Sequence, residues 1–441
     1  MGKPSNAVDG DVTARTPAGH IRSFGKREVA VGIGNFMEWF DFAIYGYFAV
    51  VIANEFFPKS DPTAALMSTF AVFAVGFLAR PLGALILGPL GDRFGRRFVL
   101  MVSVLVMGSA TALIGLLPNY AAIGVAAPVL MTILRFIQGL SVGGEWTSSA
   151  MFLVESAPNH QRATRASIIS ATAGLAFVSG TGAALLINAF LSPEQVHAWG
   201  WRIPFVASVV MGVVAVYIRR NLEDTPVFEQ VKERREDVGG KLEVSKTDYR
   251  RGFYLTLAIA GIFGVSLYMF VTYMITYLQN VVAMATVTAY AVTLIALMFY
   301  AFMNPAAGIL SDRVGRRPIA LASAGGFAIL GIPLFLMIST GNTVLVLVGL
   351  LVWGTLQSLI AVMGVVLIVE VFPAPVRSTG AALGYNVAYA LLAGPAPLLS
   401  TWLVSKFGVI APAYYLVLVA AICFIVMYKM LPETRFKDLH E

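Results

Sequence analysis

Gly88-Pro-Leu-Gly-Asp92-Arg93-Phe-Gly95-Arg96-Arg97 recurs 220 residues later as Gly308-Ile-Leu-Ser-Asp312-Arg313-Val-Gly315-Arg316-Arg317. A second motif, Glu155-x-x-Pro158-x-x-x-Arg162, recurs as Glu370-x-x-Pro373-x-x-x-Arg377 at an offset of 215. Two unrelated motifs repeating at nearly half the 441-residue length imply two homologous halves. Each motif lies between apolar runs long enough to cross a bilayer, which takes about 20 residues. Charge-poor runs predict twelve such helices, at about 29–56, 66–91, 98–117, 122–150, 163–191, 203–218, 252–279, 286–310, 318–339, 343–369, 378–404 and 409–428. The expected fold is an all-α integral membrane protein with two six-helix halves, 29–220 and 251–431. They are joined by a polar cytoplasmic linker, 221–250, and flanked by tails at 1–28 and 432–441.

Composition supports this. Apolar residues make up 58% and charged residues 12%, about half the charged share of a soluble domain. The mean hydropathy is +0.78. A soluble enzyme, a disordered chain and a collagen-like fibre are excluded. The net charge of +7 does not point to nucleic acid, because the basic residues sit in short loops between apolar runs. Of these, 26 fall on the side of the termini and three, Lys59, Arg202 and Lys406, on the other. The positive-inside rule then places both termini in the cytoplasm, with the bacterial plasma membrane as the expected location. The first 28 residues lack the apolar core of a cleavable signal. Cys423 is the single cysteine, and no histidine falls within an apolar run, so no metal site is expected.

An ionisable side chain at a bilayer centre costs several kcal/mol, and those that persist are paired or functional. All of them lie in the first half: Glu38, Asp41, Arg80, Arg135 and Glu145. Asn35, Glu38, Asp41 and Tyr45 form one polar stripe on the first helix. A carboxylate beside an arginine stays ionised, and engaging that arginine with an anion favours the protonated acid. Asp41 with Arg135 is the preferred proton-coupling pair and Glu38 the second candidate; the alternative is a structural salt bridge between helices. Candidate substrate contacts are Arg80, Arg135, Asn35, Tyr45 and Gln138, with Tyr273, Tyr277, Asn304, Gln357, Asn386 and Tyr389 from the uncharged half. Each of the uncharged groups could equally join helices. Candidate gating residues are Asp92, Arg93, Arg96, Glu145, Glu155, Arg162, Asp312, Arg313, Arg316, Glu370 and Arg377, with Glu155 expected beside Arg162 and Glu370 beside Arg377.

The repeated Gly-x-x-x-Asp-Arg-x-Gly-Arg-Arg loop resembles the signature of the major facilitator superfamily, as does Arg135-x-x-Gln138-Gly139. Gly34-Asn-Phe-Met-Glu38-Trp-Phe-Asp41-Phe, Arg80-Pro81-Leu-Gly83, Gly139-Leu-Ser-Val-Gly143-Gly144-Glu145 and Trp199-Gly-Trp-Arg202-Ile-Pro204-Phe are similar to the metabolite:proton symporter family within it. That group includes proline/betaine, α-ketoglutarate, citrate and shikimate transporters, and Pro412-Ala-Tyr-Tyr-Leu416 and Glu223-Asp-Thr-Pro226 lean toward the proline/betaine kind. About a dozen residues follow the last run, so the long coiled-coil, osmosensing extension of that kind is not expected. The resemblance implies alternating access, with an acidic residue on helix one and an arginine on helix four in the coupling role. The resulting expectation is proton symport of a carboxylate-bearing metabolite, with an organic acid such as a di- or tricarboxylate or α-ketoglutarate favoured because two buried arginines need anionic partners. A zwitterionic osmolyte such as proline or glycine betaine is the alternative, and a non-transporting sensor a remote one. Neither a phosphate-binding loop nor His-Glu-x-x-His occurs, so an ATP-driven pump and a metalloenzyme are disfavoured. No cofactor beyond the coupling protons is expected, no nucleic acid, and no partner beyond substrate and lipid bilayer; an oligomer is not required.

Overall fold

A computed structural model describes residues 26–58, 60–94, 96–143, 145–220, 245–437 and 439; the tail 1–25 and most of the linker, 221–244, lie outside the described residues. The chain is helical throughout, with no strand among the described residues. Only helices and closed barrels satisfy backbone groups within lipid. In order the helices are α1 (Lys26–Tyr47 with Ala49–Phe56), α2 (Pro62–Phe94), α3 (Arg96–Leu116), α4 (Ala126–Glu155), α5 (Arg162–Phe190) and α6 (Arg202–Arg220). The second half follows as α7 (Lys246–Asn280), α8 (Thr286–Val314), α9 (Arg316–Ser339), α10 (Thr343–Glu370), α11 (Ala374–Phe407) and α12 (Ala411–Met430). This is the expected twelve-helix arrangement.

Three details depart from the apolar-run reading. First, α1 is broken by a bend of 62° at Phe48. Second, α7 begins at Lys246, well before its apolar run, because Ser245 caps its first turn by accepting from Thr247 N. Third, π-helical turns interrupt α7 at Met269–Tyr273 and α11 at Tyr389–Ala393. Such turns concentrate at functional positions.

Glycines set how closely the helices approach. A side chain at Gly83 would strike the Leu140 backbone; one at Gly139 would strike Gly76, and one at Gly143 would strike Arg80 and Ala84. Small residues allow such backbone-to-backbone crossing in lipid. The Arg80-Pro-Leu-Gly83 and Gly139-x-x-x-Gly143 motifs are therefore one interface, and it brings the two arginine-bearing helices α2 and α4 together. The same device joins the halves, where Gly174 of α5 meets Ala301 of α8 and Gly308 of α8 meets Ala163 and Thr164 of α5.

Candidate functional site

The buried charges form two linked clusters at the centre of the first half. Arg80 Nη2 donates to Glu38 Oε1 at 3.1 Å, a direct ion pair with both side chains almost fully enclosed. The Arg80 guanidinium lies against the rings of Phe42 and Phe77, each 4.7 Å from Cζ to centroid. Asp41 is placed differently. Its Oδ2 accepts from Thr111 Oγ1 at 2.9 Å; Thr111 Oγ1 accepts from Gln138 Nε2 at 2.6 Å; Gln138 Oε1 accepts from Arg135 Nη1 at 2.9 Å. Asp41 and Arg135 are thus joined through two intermediaries, where the sequence reading expected a direct pair. Arg135 is caged instead by Tyr45, Phe73 and Phe42, at 4.0, 5.0 and 5.2 Å from Cζ to the ring centroids, a cation–π arrangement. Its Nε and Nη2 have no hydrogen-bond partner, and neither does Asp41 Oδ1.

Facing the Glu38–Arg80 pair across the interface is an aromatic group from the second half. Tyr385 stacks on Trp146 at 4.2 Å and on Tyr389 at 4.1 Å. Tyr268 packs on Phe77 at 4.9 Å and on Tyr389 at 5.9 Å, and its hydroxyl makes no hydrogen bond. Of the second-half candidates, Tyr389 belongs to this group, its ring 6.0 Å from Arg80 Cζ. Tyr273, further along α7, has its ring 6.3 Å from Phe70 of the first half and 5.8 Å from Tyr277.

Other candidates hold backbone carbonyls, most of them on a neighbouring helix. Asn35 donates to the Ile169 carbonyl and to Thr172 and accepts from Trp39. The Tyr45 hydroxyl donates to the Thr69 carbonyl, leaving its ring for Arg135. Tyr277 donates to the Val409 carbonyl at 2.8 Å, toward the chain entering α12. Asn304 bonds its own helix at Tyr300 O, next to the helix-interior Pro305. Gln357 reaches Phe263 O on α7. Asn386 donates to Gly143 O at 2.9 Å, crossing from α11 to α4 and so tying the two halves.

The face carrying the repeated motifs, here the basic face, is closed by contacts between the halves. Glu155 pairs with Arg377 at 2.8 Å, and Arg162 approaches Glu370 at 3.8 Å. The partners are exchanged relative to the sequence reading, which coupled each glutamate to the arginine seven residues on. The physical reason is the repeat itself: related halves meet about an approximate two-fold, which sets each glutamate opposite its repeat's arginine. The second copy of the long motif is explained residue by residue. Gly308 lets α8 touch the start of α5. Asp312 then caps α5, accepting from Ala163 N, Thr164 N and Thr164 Oγ1 at 3.1, 2.8 and 2.7 Å, where the helix dipole favours negative charge. Gly315 has φ of +116°, and any Cβ there would meet the Glu433 carboxylate, which caps α9 through Arg316 N and Arg317 N. Arg316 bridges Asp312 at 2.9 Å and Glu370 at 3.5 Å. Arg313 does not join this network through its side chain, which is exposed; only its carbonyl is engaged, by Arg435. The side chains of Asp92, Arg93, Arg96 and Glu145 lie outside the described residues.

A strap that the sequence reading missed runs over this face. Arg162 donates to Lys437 O at 2.7 Å and Arg377 to Leu439 O at 2.9 Å, so one stretch of tail holds an arginine from each half. Lys437 Nζ reaches Glu370 O, and Thr434 Oγ1 reaches Glu370 Oε2. Partial burial, then the nearby Arg377, push the Lys437 ammonium below its ordinary value.

The chain matches the model of the Major Facilitator Superfamily over residues 31–395 and over 296–440. It is 34% identical over 440 residues to the proline/betaine transporter of Salmonella typhimurium, covering 98% of this chain and 87% of that one. It is 37% identical over 435 residues to an inner membrane metabolite transport protein of Escherichia coli, covering 95% and 96%. Among solved structures, the proton:xylose symporter XylE shares the fold with a TM-score of 0.75 over 94% of this chain and 97% of that one, at 18% identity. Twelve helices in two repeated halves, a second motif copy whose glycines, Asp312 and Arg316 hold helix contacts, and these matches have one reading: the chain belongs to the major facilitator superfamily and is a multi-pass membrane transporter.

Proposed function

We propose that this transporter is a proton-coupled symporter that takes up a zwitterionic osmolyte of the proline or glycine betaine kind. The observation that carries the reading is the inequality of the two arginines. Arg80 is neutralised by Glu38 at 3.1 Å, whereas Arg135 keeps Nε and Nη2 unbonded in a fully buried site. A buried cation with idle donors is a place for one carboxylate, since guanidinium and carboxylate match as paired forks. One such place favours a single carboxylate over the di- or tricarboxylate toward which the sequence alone leaned on the strength of two buried arginines. The Glu38 carboxylate and the rings of Tyr268, Tyr385, Tyr389 and Trp146 supply what an alkylated ammonium group needs. The relatives named as proline/betaine transporters support the same choice.

In this mechanism the substrate carboxylate engages Arg135 and removes the positive field that reaches Asp41 through Gln138 and Thr111. Asp41 then carries a proton with the substrate, so the two ligands bind with positive coupling. The halves 29–220 and 251–431 rock about the central site, the polar linker 221–250 joining them. The basic face is the cytoplasmic one, both termini lie there, and the membrane is the bacterial inner membrane.

The test is uptake into proteoliposomes under an imposed pH gradient, comparing labelled glycine betaine and proline with citrate and α-ketoglutarate. Uphill accumulation of the zwitterions, abolished by a protonophore, is the expected result. Accumulation of the dicarboxylate or tricarboxylate in their place overturns the substrate reading; accumulation driven by sodium without a pH gradient overturns the coupling.

A further inference from the structure

The mechanism above uses Asp41 and Arg135 but leaves open how a fully buried carboxylate is held ready to gain and lose a proton. Thr111 of α3 is completely buried. Its hydroxyl oxygen stands 2.9 Å from Asp41 Oδ2 and 3.0 Å from Met107 O, one turn back on its own helix, and accepts from Gln138 Nε2 at 2.6 Å. A threonine in a membrane helix commonly satisfies itself on the carbonyl four residues back, and that alone would make Thr111 unremarkable. Here, however, the hydroxyl has one hydrogen and two acceptors within reach, while its lone pairs are fixed from the other side by Gln138. It therefore has two bonded states. With Asp41 ionised, the hydrogen points to Oδ2; with Asp41 protonated, it turns to the Met107 carbonyl.

We propose that Thr111 is a positioning residue for the proton step, a two-state donor whose hydroxyl rotates between Asp41 and Met107 as Asp41 cycles. The proposal rests on the symport reading. Two further features agree with it. Asp41 Oδ1 has no protein donor, so the oxygen away from Thr111 is open to the proton. A cavity of about 10 Å³ is lined by Glu38 and Asp41 together with Ser103, Val104 and Met107 of α3, the turns of α3 that lead to Thr111. The other charged or titratable groups around Asp41 are Arg135 on α4, Arg80 on α2 with its partner Glu38, Tyr45 one turn along α1 and Tyr268 on α7. Among the described residues α3, α5 and α6 bring no charge to this depth; Glu145 of α4 lies outside the described side chains.

The test uses the purified full-length chain and three variants: Thr111→Val and Thr111→Ala, which lack the donor, and Thr111→Ser, which keeps it. Infrared difference spectra against pH, referenced to Asp41→Asn, report the Asp41 carboxyl without any substrate. Removing a hydrogen bond to the charged form should move its titration by about one pH unit to the alkaline side, a tenfold change in proton affinity. The pH profile of uptake should move the same way, while substrate counterflow, which needs no net proton movement, persists. Thr111→Ser should superimpose on the parent protein. An unmoved carboxyl band in both donor-less variants overturns the proposal, and so does a Thr111→Ser shift as large as that of Thr111→Val. Loss of counterflow in Val and Ala alike also overturns it, since Thr111 would then hold the site's structure. If the infrared shift occurs but no proton-driven uptake is found in the parent protein, the symport reading fails and takes the coupling role of Thr111 with it, while an infrared shift absent in a protein that does show proton-driven uptake overturns the Thr111 proposal alone.

Discussion

Replacing Glu38 by Gln should destabilise the protein strongly, and the size of the effect follows from the geometry. Glu38 and Arg80 lie 3.1 Å apart with 4% and 1% of their side chains exposed. At an effective dielectric constant of about 20, the attraction over that distance is about 5 kcal/mol. Removing one member of a buried pair typically costs about 3–5 kcal/mol, because the remaining ion is left uncompensated. The faces of Phe42 and Phe77 return part of that to Arg80, on the order of 1 kcal/mol. The net expectation is a loss of about 3 kcal/mol for Glu38→Gln or Arg80→Gln, and a smaller loss for the double variant, which buries no unpaired charge. The assay is a double-mutant cycle on detergent-purified protein, reading apparent unfolding free energies under one set of conditions. A coupling energy of about 2 kcal/mol or more is expected. Asp41→Asn should lose far less, because its partner is a hydroxyl. Coupling below about 0.5 kcal/mol between Glu38 and Arg80, or strong coupling of Arg80 to Asp41 instead, refutes the assignment of partners.

Asp41→Asn should abolish uphill accumulation while substrate counterflow continues, since the amide keeps the shape but carries no proton; a variant that still concentrates substrate removes Asp41 from the coupling role. Arg135→Ala should weaken substrate binding by about tenfold or more, the value of one charge-assisted contact, with Arg135→Lys intermediate because an ammonium cannot form the paired fork; equal binding by all three, measured by calorimetry, shows that the carboxylate docks elsewhere. On the basic face, Glu155→Arg should open the closed state and Glu155→Arg with Arg377→Glu should restore it. Labelling of a single cysteine placed at Ser167, in a Cys423→Ser background, reads the opening, and a double variant that labels as fast as the single one refutes the cross-pairing.

The residues that matter were partly visible in the sequence, and physical reasons divide what was visible from what was not. Charges in an apolar run stand out because their burial is costly, so Glu38, Asp41, Arg80 and Arg135 could be selected by type and depth. Pairing could not be read off. Asp41 and Arg135 share a network, but the direct contact belongs to Glu38 and Arg80, and how α1, α2 and α4 turn toward one another is not written in the spacing. Thr111 offered no signal, since threonines in apolar helices are common and usually bond their own backbone. Tyr268 and Tyr385 were hidden among other buried aromatics, and only the meeting of the halves gathers them beside Tyr389. The Glu155 and Glu370 motifs were found through their repetition, yet their partners depend on how two copies face each other, which a local spacing does not contain. Apolar runs located the lipid crossings and missed the polar start of α7 and the bend in α1, because hydropathy reports solvent and not backbone direction.

The division between halves carries a consequence for how the cycle is driven. The closed basic face rests on four polar connections between or across the halves: Glu155–Arg377, Arg162–Glu370, the Asp312 cap on α5, and the tail carbonyls of Lys437 and Leu439. The opposite face has its own crossing, the Tyr290 hydroxyl on the Tyr47 carbonyl at 2.5 Å, and Gly46 pressed against Thr272. The Glu155–Arg377 pair, with one partly exposed member, is worth about 0–1 kcal/mol, whereas Arg162 and Glu370 are buried, so the face is held by several connections of unequal strength. A ligand shifts a two-state balance only by its difference in affinity for the two states. The groups able to make that difference are those that a substrate would draw together across the interface: Arg135 and Glu38 from one half, Tyr268, Tyr385 and Tyr389 from the other. With titratable charge on one side and neutral rings on the other, the proposed proton uptake would change charge in the first half. On the proposed mechanism the second half senses it through the rings already packed on the first half, Tyr268 on Phe77 and Tyr385 on Trp146, and through a substrate that touches both. The proposed coupling would follow from a site split between two halves of unlike chemistry.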